Sequence, residues 1–573
     1  MSSQDSAILA VLMFPLAGGV LGFFIGKSSK RFRNHFMDVI MLLEMALMGY
    51  LAYLVFDKGQ VLSVLLLKLA NLRVSFLLDE MRVLLCILVT IVFMVMFWFM
   101  KESFWREAHS NRFYFIYTVV YVTVLGALMT DSLFNYSLFT VLAFLCIYPL
   151  TVHRQDKNAM KNAKIYLLFL VAAVVLAVTG CMLLLSEIGD TGYHALYGMA
   201  MEGGYQGIIL FAGILIMFAF IICAGIFPLQ FMITRGSSYS MMEVSAILAG
   251  VASKLGIIGL MVLASNVFPY MAVYGRCLLM LGLATVIWGI LISLTASDIR
   301  KIIMGVNVAT NGFNTLGISL MVLCGNSNGY AVRSSVYMLF ASSMSLLALY
   351  MVALEQIRKM RTFEIKGLIS SGRENKCMAV VCFLACASIA GVPGTAGFLS
   401  HALLYKTILV NLGWKWLIVL YIVLWAFLAT AVARIFMKLF VSEREKALRI
   451  MTEEGEAVNM QKEADDERLI EEDKTKKNPY RSGELLLLLL GLLQIVVGVL
   501  PNQFFDKMAG AIVEYSNGEN FLDAIPYYTS DIGIAVLIVA VLTVLLYLNL
   551  IHGILLRKVR NKKNQELKEK ANN

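Results

Sequence analysis

Apolar residues in this chain do not alternate with polar ones; they come in long blocks. Runs of roughly twenty hydrophobic positions recur along almost the whole length of 573 residues, separated by short polar stretches. A bilayer core of about 30 Å takes about twenty residues of helix, so each block predicts one crossing. About fifteen blocks fall near 7–26, 37–56, 82–100, 113–131, 132–152, 164–186, 207–228, 241–264, 272–296, 302–324, 331–355, 377–400, 414–441, 484–502 and 531–556. The expected fold is an all-α, multi-pass membrane protein. The first block lacks the basic start and the small-residue cleavage site of a secretory signal, so it is read as a retained span.

Two blocks are interrupted. Pro228 lands at the close of span 7, and span 12 contains "IAGVPGTAGFLSH", with Pro393 and Gly394 inside it. Spans 4–8 (residues 113–264) and spans 9–13 (residues 272–441) each form a group of five. Adjacent groups with an odd number of spans must have opposite orientations. Helices broken at the fourth span of each group, spans 7 and 12, therefore predict two inverted five-helix repeats with an ion path at the breaks. For each proline taken singly, a plain helix end remains the alternative. Residues 1–112 supply three flanking helices, and residues 483–573 two more and a basic tail. Residues 442–482 form a mixed-charge insert, read as a solvated or surface-lying segment. Gly18, Gly22 and Gly26 recur every four residues in span 1, which predicts close packing on a neighbouring helix.

Composition sharpens this reading only in places. The chain is 60% hydrophobic and 15% charged, too apolar for a soluble protein of this length. Its formal charge of +10 could suggest a nucleic-acid partner, but the basic residues crowd alternate loops. Lys27, Lys30, Arg31 and Arg33 fall in one, and Arg154, Lys157, Lys161 and Lys164 in another, whereas the loop "SEIGDTGYHALYGMAMEGGY" has none. That is the positive-inside pattern. With fifteen spans it places the N-terminus outside and the C-terminus in the cytoplasm, in the plasma membrane. Nine cysteines lie in or at the ends of apolar blocks and read as small buried hydrophobes. No nucleotide-binding glycine loop, HExxH, GxSxG or cluster-binding cysteine framework is present, so no catalytic residue, metal or cofactor is assigned.

Ionisable groups at lipid depth are costly unless they face protein or water, and each is a functional candidate. Lys254 lies in the middle of span 8, and Glu243 eleven residues earlier, about three turns away on nearly the same face. A lysine desolvated on one side and faced by a carboxylate on the other can take and release a proton; a purely structural pair is the alternative. His401 follows the second break, with Tyr405 and Lys406 beyond it, and an imidazole suits a proton relay or a packed hydrogen bond. Arg434 and Lys438 either continue a polar line in span 13 or snorkel to the surface. Glu44 and Lys68, outside the two groups, are expected to meet partner subunits or headgroups.

Several of these stretches together resemble the antiporter-like membrane subunits shared by respiratory complex I, Mrp-type Na⁺/H⁺ antiporters and energy-converting membrane hydrogenases. The stretches are "FPLQ", "EVSAILAGVASKLGIIGL", "SDIRKIIMGVNVATNGFNTLGISL" and "GVPGTAGFLSH", and the resemblance spans about residues 75 to 440. It implies that Lys254 is the channel lysine and that His401 stands at the terminal position of the ion path. It also implies neighbouring membrane subunits as partners and H⁺ or Na⁺ as the ion. The function so implied is that of a membrane-arm subunit in a redox-driven proton- or sodium-translocating complex. The alternatives are an Mrp-type antiporter subunit and a non-pumping scaffold. Other family positions differ here. Phe144 and Cys223 stand where a glutamate and a lysine are expected, and Gln230, Thr310 and Ser342 where histidines are.

Overall fold

The computed structural model describes residues 3–69, 72–104, 109–153, 157–203, 207–269, 271–324, 330–369, 371–372, 375–442, 483–499 and 532–548. The charged insert after Ser442 and the basic tail lie outside the described residues. What is described is a bundle of helices with one short hairpin.

The flanking part opens with α1 (Ser3–Ser28) and α2 (Lys30–Phe56), followed by strands β1 (Leu62–Leu69) and β2 (Leu72–Leu78) and by α3 (Glu80–Phe104). Next come α4 (Ser110–Leu128), α5 (Leu133–Thr151), α6 (Lys157–Ile188) and the short α7 (Tyr193–Met201). Span 7 is then split into α8 (Gly207–Ala224) and α9 (Phe231–Tyr239). Span 8 is α10 (Met242–Ile247), one π turn (Leu248–Ala252) and α11 (Ser253–Asn266). After α12 (Ala272–Thr295), α13 (Ile299–Leu323) and α14 (Tyr330–Met360), span 12 is split into α15 (Lys376–Ala390) and α16 (Ala396–Thr407). The bundle closes with α17 (Lys415–Phe436), α18 (Gly483–Val499) and α19 (Ile532–Leu548).

Among the described residues, 11 helices are long and apolar enough to cross a membrane. Four departures from the hydrophobic pattern have local causes. The β1–β2 hairpin was not expected, because its leucines read as a connection between spans 2 and 3. Pro228 does not close span 7: α8 ends at Ala224, the next residue Gly225 takes a φ of +71° that suits glycine, and the chain re-enters a helix at Phe231. Span 12 does not stop at residue 400 but continues through α16 and a π turn to Leu412. Finally, α13 falls outside the apolar set although its side chains are buried, because Asn307, Asn311, Asn314, Thr310 and Thr315 dilute it.

Close helix approach is written in small residues. A Cβ on Gly18, Gly22 or Gly26 would lie within 3 Å of Ile40, Met37 or Arg33 of α2, as the four-residue spacing predicted. The α12–α13 pair is tighter still: a Cβ on Gly289 would sit 2.4 Å from the backbone nitrogen of Ala309. Glu44 corrects its expectation. Its side chain is fully buried beneath α2 and accepts from the Tyr121 hydroxyl at 3.3 Å, so it faces the bundle rather than headgroups or a partner. Lys68 lies on β1, paired in register with Arg73.

Candidate functional site

The site grows from the first helix break. Where α8 stops, its last carbonyls lose their helical partners, and inside a bundle such groups must find others. The Asn311 side-chain amide donates to the Ala224 oxygen at 2.7 Å, and the Phe227 backbone N–H donates to the Thr285 hydroxyl at 3.0 Å. Thus α12 and α13 supply the bonds that α8 gives up.

The same asparagine meets the lysine. Lys254 Nζ donates to Asn311 Oδ1 at 2.5 Å and to Asn307 Oδ1 at 3.2 Å. Lys254 is 4% exposed, and among the described residues its partners are these two neutral amide oxygens. The break, α13 and the lysine therefore form one hydrogen-bonded unit: Ala224 carbonyl, Asn311, Lys254, Asn307. Asn307, Asn311 and Asn314 recur at intervals of four and three, so they line one face of α13. The spacing of this ladder is present in the sequence, but uncharged asparagines do not stand out there as ionisable groups do. Among the described residues, Asn307 Nδ2 and both amide atoms of Asn314 have no protein partner. Buried amides of this kind ordinarily complete their bonds through water.

Glu243 does not join this unit. The π turn at Leu248–Ala252 adds residues to the turn and shifts the phase, so eleven residues no longer amount to three α-turns. Glu243 lies 3.8 Å from Arg358 at the end of α14, a buried carboxylate paired with a half-buried guanidinium.

The second break has its own polar cluster. Thr395 caps α16, its hydroxyl accepting from the Phe398 N–H at 3.4 Å, while Gly391 and Gly394 take φ of +72° and +87° on either side of Pro393. His401 is fully buried. Its Nδ1 lies 2.8 Å from the Tyr421 hydroxyl, its Nε2 lies 3.3 Å from the Ile389 carbonyl, and its ring stacks on Trp425 at 4.7 Å. Trp425 in turn donates to the Ala390 carbonyl at 2.8 Å. Both aromatic side chains therefore cap the broken end of α15, as Asn311 caps α8. Among the described residues no hydrogen bond joins His401 to Lys254. Lys406 sits over the Tyr330 ring at 5.1 Å. Arg434 donates to the Ser293, Leu294 and Ala296 carbonyls at the end of α12, where a cation also meets the helix dipole.

The positions where the resemblance failed are packed rather than open. Phe144 and Cys223 are buried, the Phe144 carbonyl accepting from the Tyr166 hydroxyl at 2.7 Å. Thr310 and Ser342 turn their hydroxyls back to carbonyls on their own helices, and Gln230 begins α9.

Comparison with known proteins gives a consistent result. Residues 130–428 match the family described as NADH:quinone oxidoreductase/Mrp antiporter, transmembrane. A Na(+)/H(+) antiporter subunit from Bacillus subtilis is 24% identical over 398 residues, covering 69% of this chain and 79% of that protein. Hydrogenase-4 component B of Escherichia coli is 20% identical over 345 residues, covering 58% and 50%. Among solved structures, a chain of the Mrp complex from a Dietzia species superposes with a TM-score of 0.73 at 17% identity, over 94% of this chain and all of that one. A chain of the membrane-bound sulfane sulfur reductase, an archaeal respiratory membrane complex, superposes at 0.74 and 15% identity with the same coverage.

Proposed function

The chain belongs to the NADH:quinone oxidoreductase/Mrp antiporter membrane family and is an antiporter-like subunit, and from that premise we propose that it serves in the membrane arm of a redox-driven complex that moves protons or sodium ions. On this reading it crosses the plasma membrane fifteen times as two inverted five-helix repeats with three helices before and two after, and works only beside other membrane subunits.

One observation carries the reading. Lys254 is a charge at lipid depth that no described carboxylate balances, held instead by two neutral amides beside a broken helix. A structural lysine is best served by a fixed counter-charge; a lysine that must gain and lose charge is better served by neutral, reorientable dipoles. The asparagine ladder on α13 can swing its amides to follow either state and can order water between Lys254 and the second half. His401, Lys406 and Arg434 stand on that far side, where His401 is placed to hold the second break in shape.

The nearby runner-up is a subunit of an Mrp-type cation/proton antiporter with no redox partner, favoured by the coverage of the Bacillus subtilis antiporter protein. Purification of the native complex separates the two, since redox subunits accompany the chain only in the first.

Lys254→Met tests the mechanism. Methionine keeps much of the volume and removes the titratable group, and an apolar replacement of a buried charge is tolerated or even stabilising. In the assembled complex it should abolish most ion translocation while electron transfer in uncoupled membranes continues. Unchanged translocation in a normally assembled complex would leave the chain as a scaffold.

A further inference from the structure

Two cavities meet end to end between the hairpin and Lys254. The outer one, of about 90 Å³, starts at Asp79, the residue after β2, and is lined by Arg82, Thr130, Tyr136, Tyr193 and Asn266, among others. The inner one, of about 20 Å³, is lined by Lys254, Ser343, Leu88, Val89, Val251 and Leu339, among others. Leu85, Leu128 and Ile258 line both. A water needs on the order of 10–15 Å³, so the inner cavity has room for about one and the outer for several.

We propose that Lys254 communicates with the aqueous phase on the hairpin-bearing face, through a vestibule between α3, α4 and α11 closed by a ring of Leu85, Leu128 and Ile258. The proposal rests on Lys254 as the carrier of mobile charge, and it adds the route and the gate. The route runs along α11 from Lys254 to Asn266, roughly 18 Å at 1.5 Å per residue. Its outer part sets polar groups into a largely apolar wall: Asp79 and Arg82 are paired at its mouth, the Arg82 guanidinium lies over the Tyr193 ring, and Asn266 closes α11. Tyr136 connects the two parts, because it lines the outer cavity while its hydroxyl donates to the Leu255 carbonyl, next to Lys254, at 2.5 Å. The ring between them is wholly apolar and continues into apolar walls on either side, with Met81, Ala127 and Val262 outside and Leu88, Val89 and Leu339 inside, and such a hydrophobic constriction opens and closes by wetting.

The unexpected hairpin then has a task. Leu77 N–H donates to the Met129 carbonyl at 2.7 Å, Ser75 donates to Asp131 at 2.5 Å, and Asn135 donates to the Arg73 carbonyl at 2.7 Å. Tyr193 and Thr191 bond the same α4–α5 turn from the other side. Hairpin, turn and α7 are thus tied together around the vestibule mouth and hold it in shape. The charged positions that would have fed Lys254 from the opposite face are Phe144 and Cys223, both packed, so this route runs through space that those positions lack.

Thiol accessibility tests it in the assembled complex, in sealed vesicles of known orientation. The probe is a membrane-impermeant trimethylammonium methanethiosulfonate, read by peptide mass against the unsubstituted chain. Ile258→Cys places a thiol at the ring, Met261→Cys one turn nearer the mouth, and Leu248→Cys gives a buried control away from the cavities. From the hairpin face, Ile258→Cys and Met261→Cys should react about tenfold faster than Leu248→Cys, since only a hydrated thiol ionises to the reactive thiolate. Ile258→Cys reacting no faster than the control, or only from the opposite face, overturns the route; should that variant fail to assemble, Met261→Cys decides by the same comparison. The result is independent of transport. Labelling at the ring with Lys254→Met still pumping keeps the vestibule and removes the proposed function, and no labelling with Lys254→Met inactive does the reverse.

Discussion

At the scale of single residues, the informative contrast is between Lys254 and the charges around it. Glu243 has Arg358, Asp79 has Arg82 and Arg434 has the end of α12, whereas Lys254 has amides. Supplying the missing counter-charge should therefore be harmful to function and harmless to the fold. Asn307→Asp does this cleanly, because the Asn307 NH₂ has no protein partner to lose among the described residues. A carboxylate about 3–4 Å from the ammonium would be attracted by about 4 kcal/mol at an effective dielectric of about 20. Translocation by the assembled variant should fall sharply while its thermal midpoint holds or rises. Retained pumping together with a lowered midpoint would mean that Lys254 is structural. The sequence exposed the lysine readily, since a lone charge in an apolar block is conspicuous. It concealed the partners, because asparagines at 307, 311 and 314 carry no charge and read as dilution of a span.

At the scale of elements, both breaks could be read from Pro228 and Pro393, but the half-helix α9 could not. Its sequence, "FMITRGSSY", is too polar and short for a hydropathy window, and only burial against α6 and α13 makes it helical. The π turn in span 8 was equally hidden, since nothing in "LAGVA" distinguishes it from an α-turn, and it moved Glu243 away from Lys254. What fixes α11 against the broken α8 is Gly256: a Cβ there would lie 2.3 Å from the Ala224 nitrogen and 2.7 Å from the Cys223 carbonyl carbon. Backbone cannot give way as a side chain can. Gly256→Ala should therefore push α11 off the break, disturb the Lys254–Asn311–Ala224 chain and cost about 1–3 kcal/mol as an overpacked site. Gly198→Ala in α7, where a Cβ meets nothing within 4 Å, should be neutral or stabilise by about 0.5–1 kcal/mol. Thermal unfolding of the two variant complexes measures the difference, and equal midpoints would refute the close approach.

At the scale of the whole molecule, the hairpin and the distant C-terminus are linked by parity. Between Leu78 and the tail the expected crossings number thirteen, an odd count, so hairpin and tail must lie on opposite faces. On the proposed orientation, with the basic loops inside, the hairpin lies outside and the tail in the cytoplasm. The last two helices are the weak point of this count. Of α18 and α19, 17 residues each are described, about 26 Å at 1.5 Å per residue against a bilayer core of about 30 Å. A helix of even that length crosses by local thinning of the bilayer or by packing against longer neighbours. α18 has such neighbours: Gly491 lies against Leu384 of α15, Gly498 against the backbone of the second break at Gly394 and Thr395, and Gln494 donates to Ser345 of α14 at 3.0 Å. A helix hydrogen-bonded to α14 and packed closely on α15 and the second break is expected to cross with them. A reporter fused after Asn573 should therefore be active only in the cytoplasm, and a tag inserted at Gly59, an open turn before the hairpin, should be reached only from outside. Both signals on one face would mean that α18 or α19 does not cross, and the vestibule mouth would then have to be assigned its side afresh.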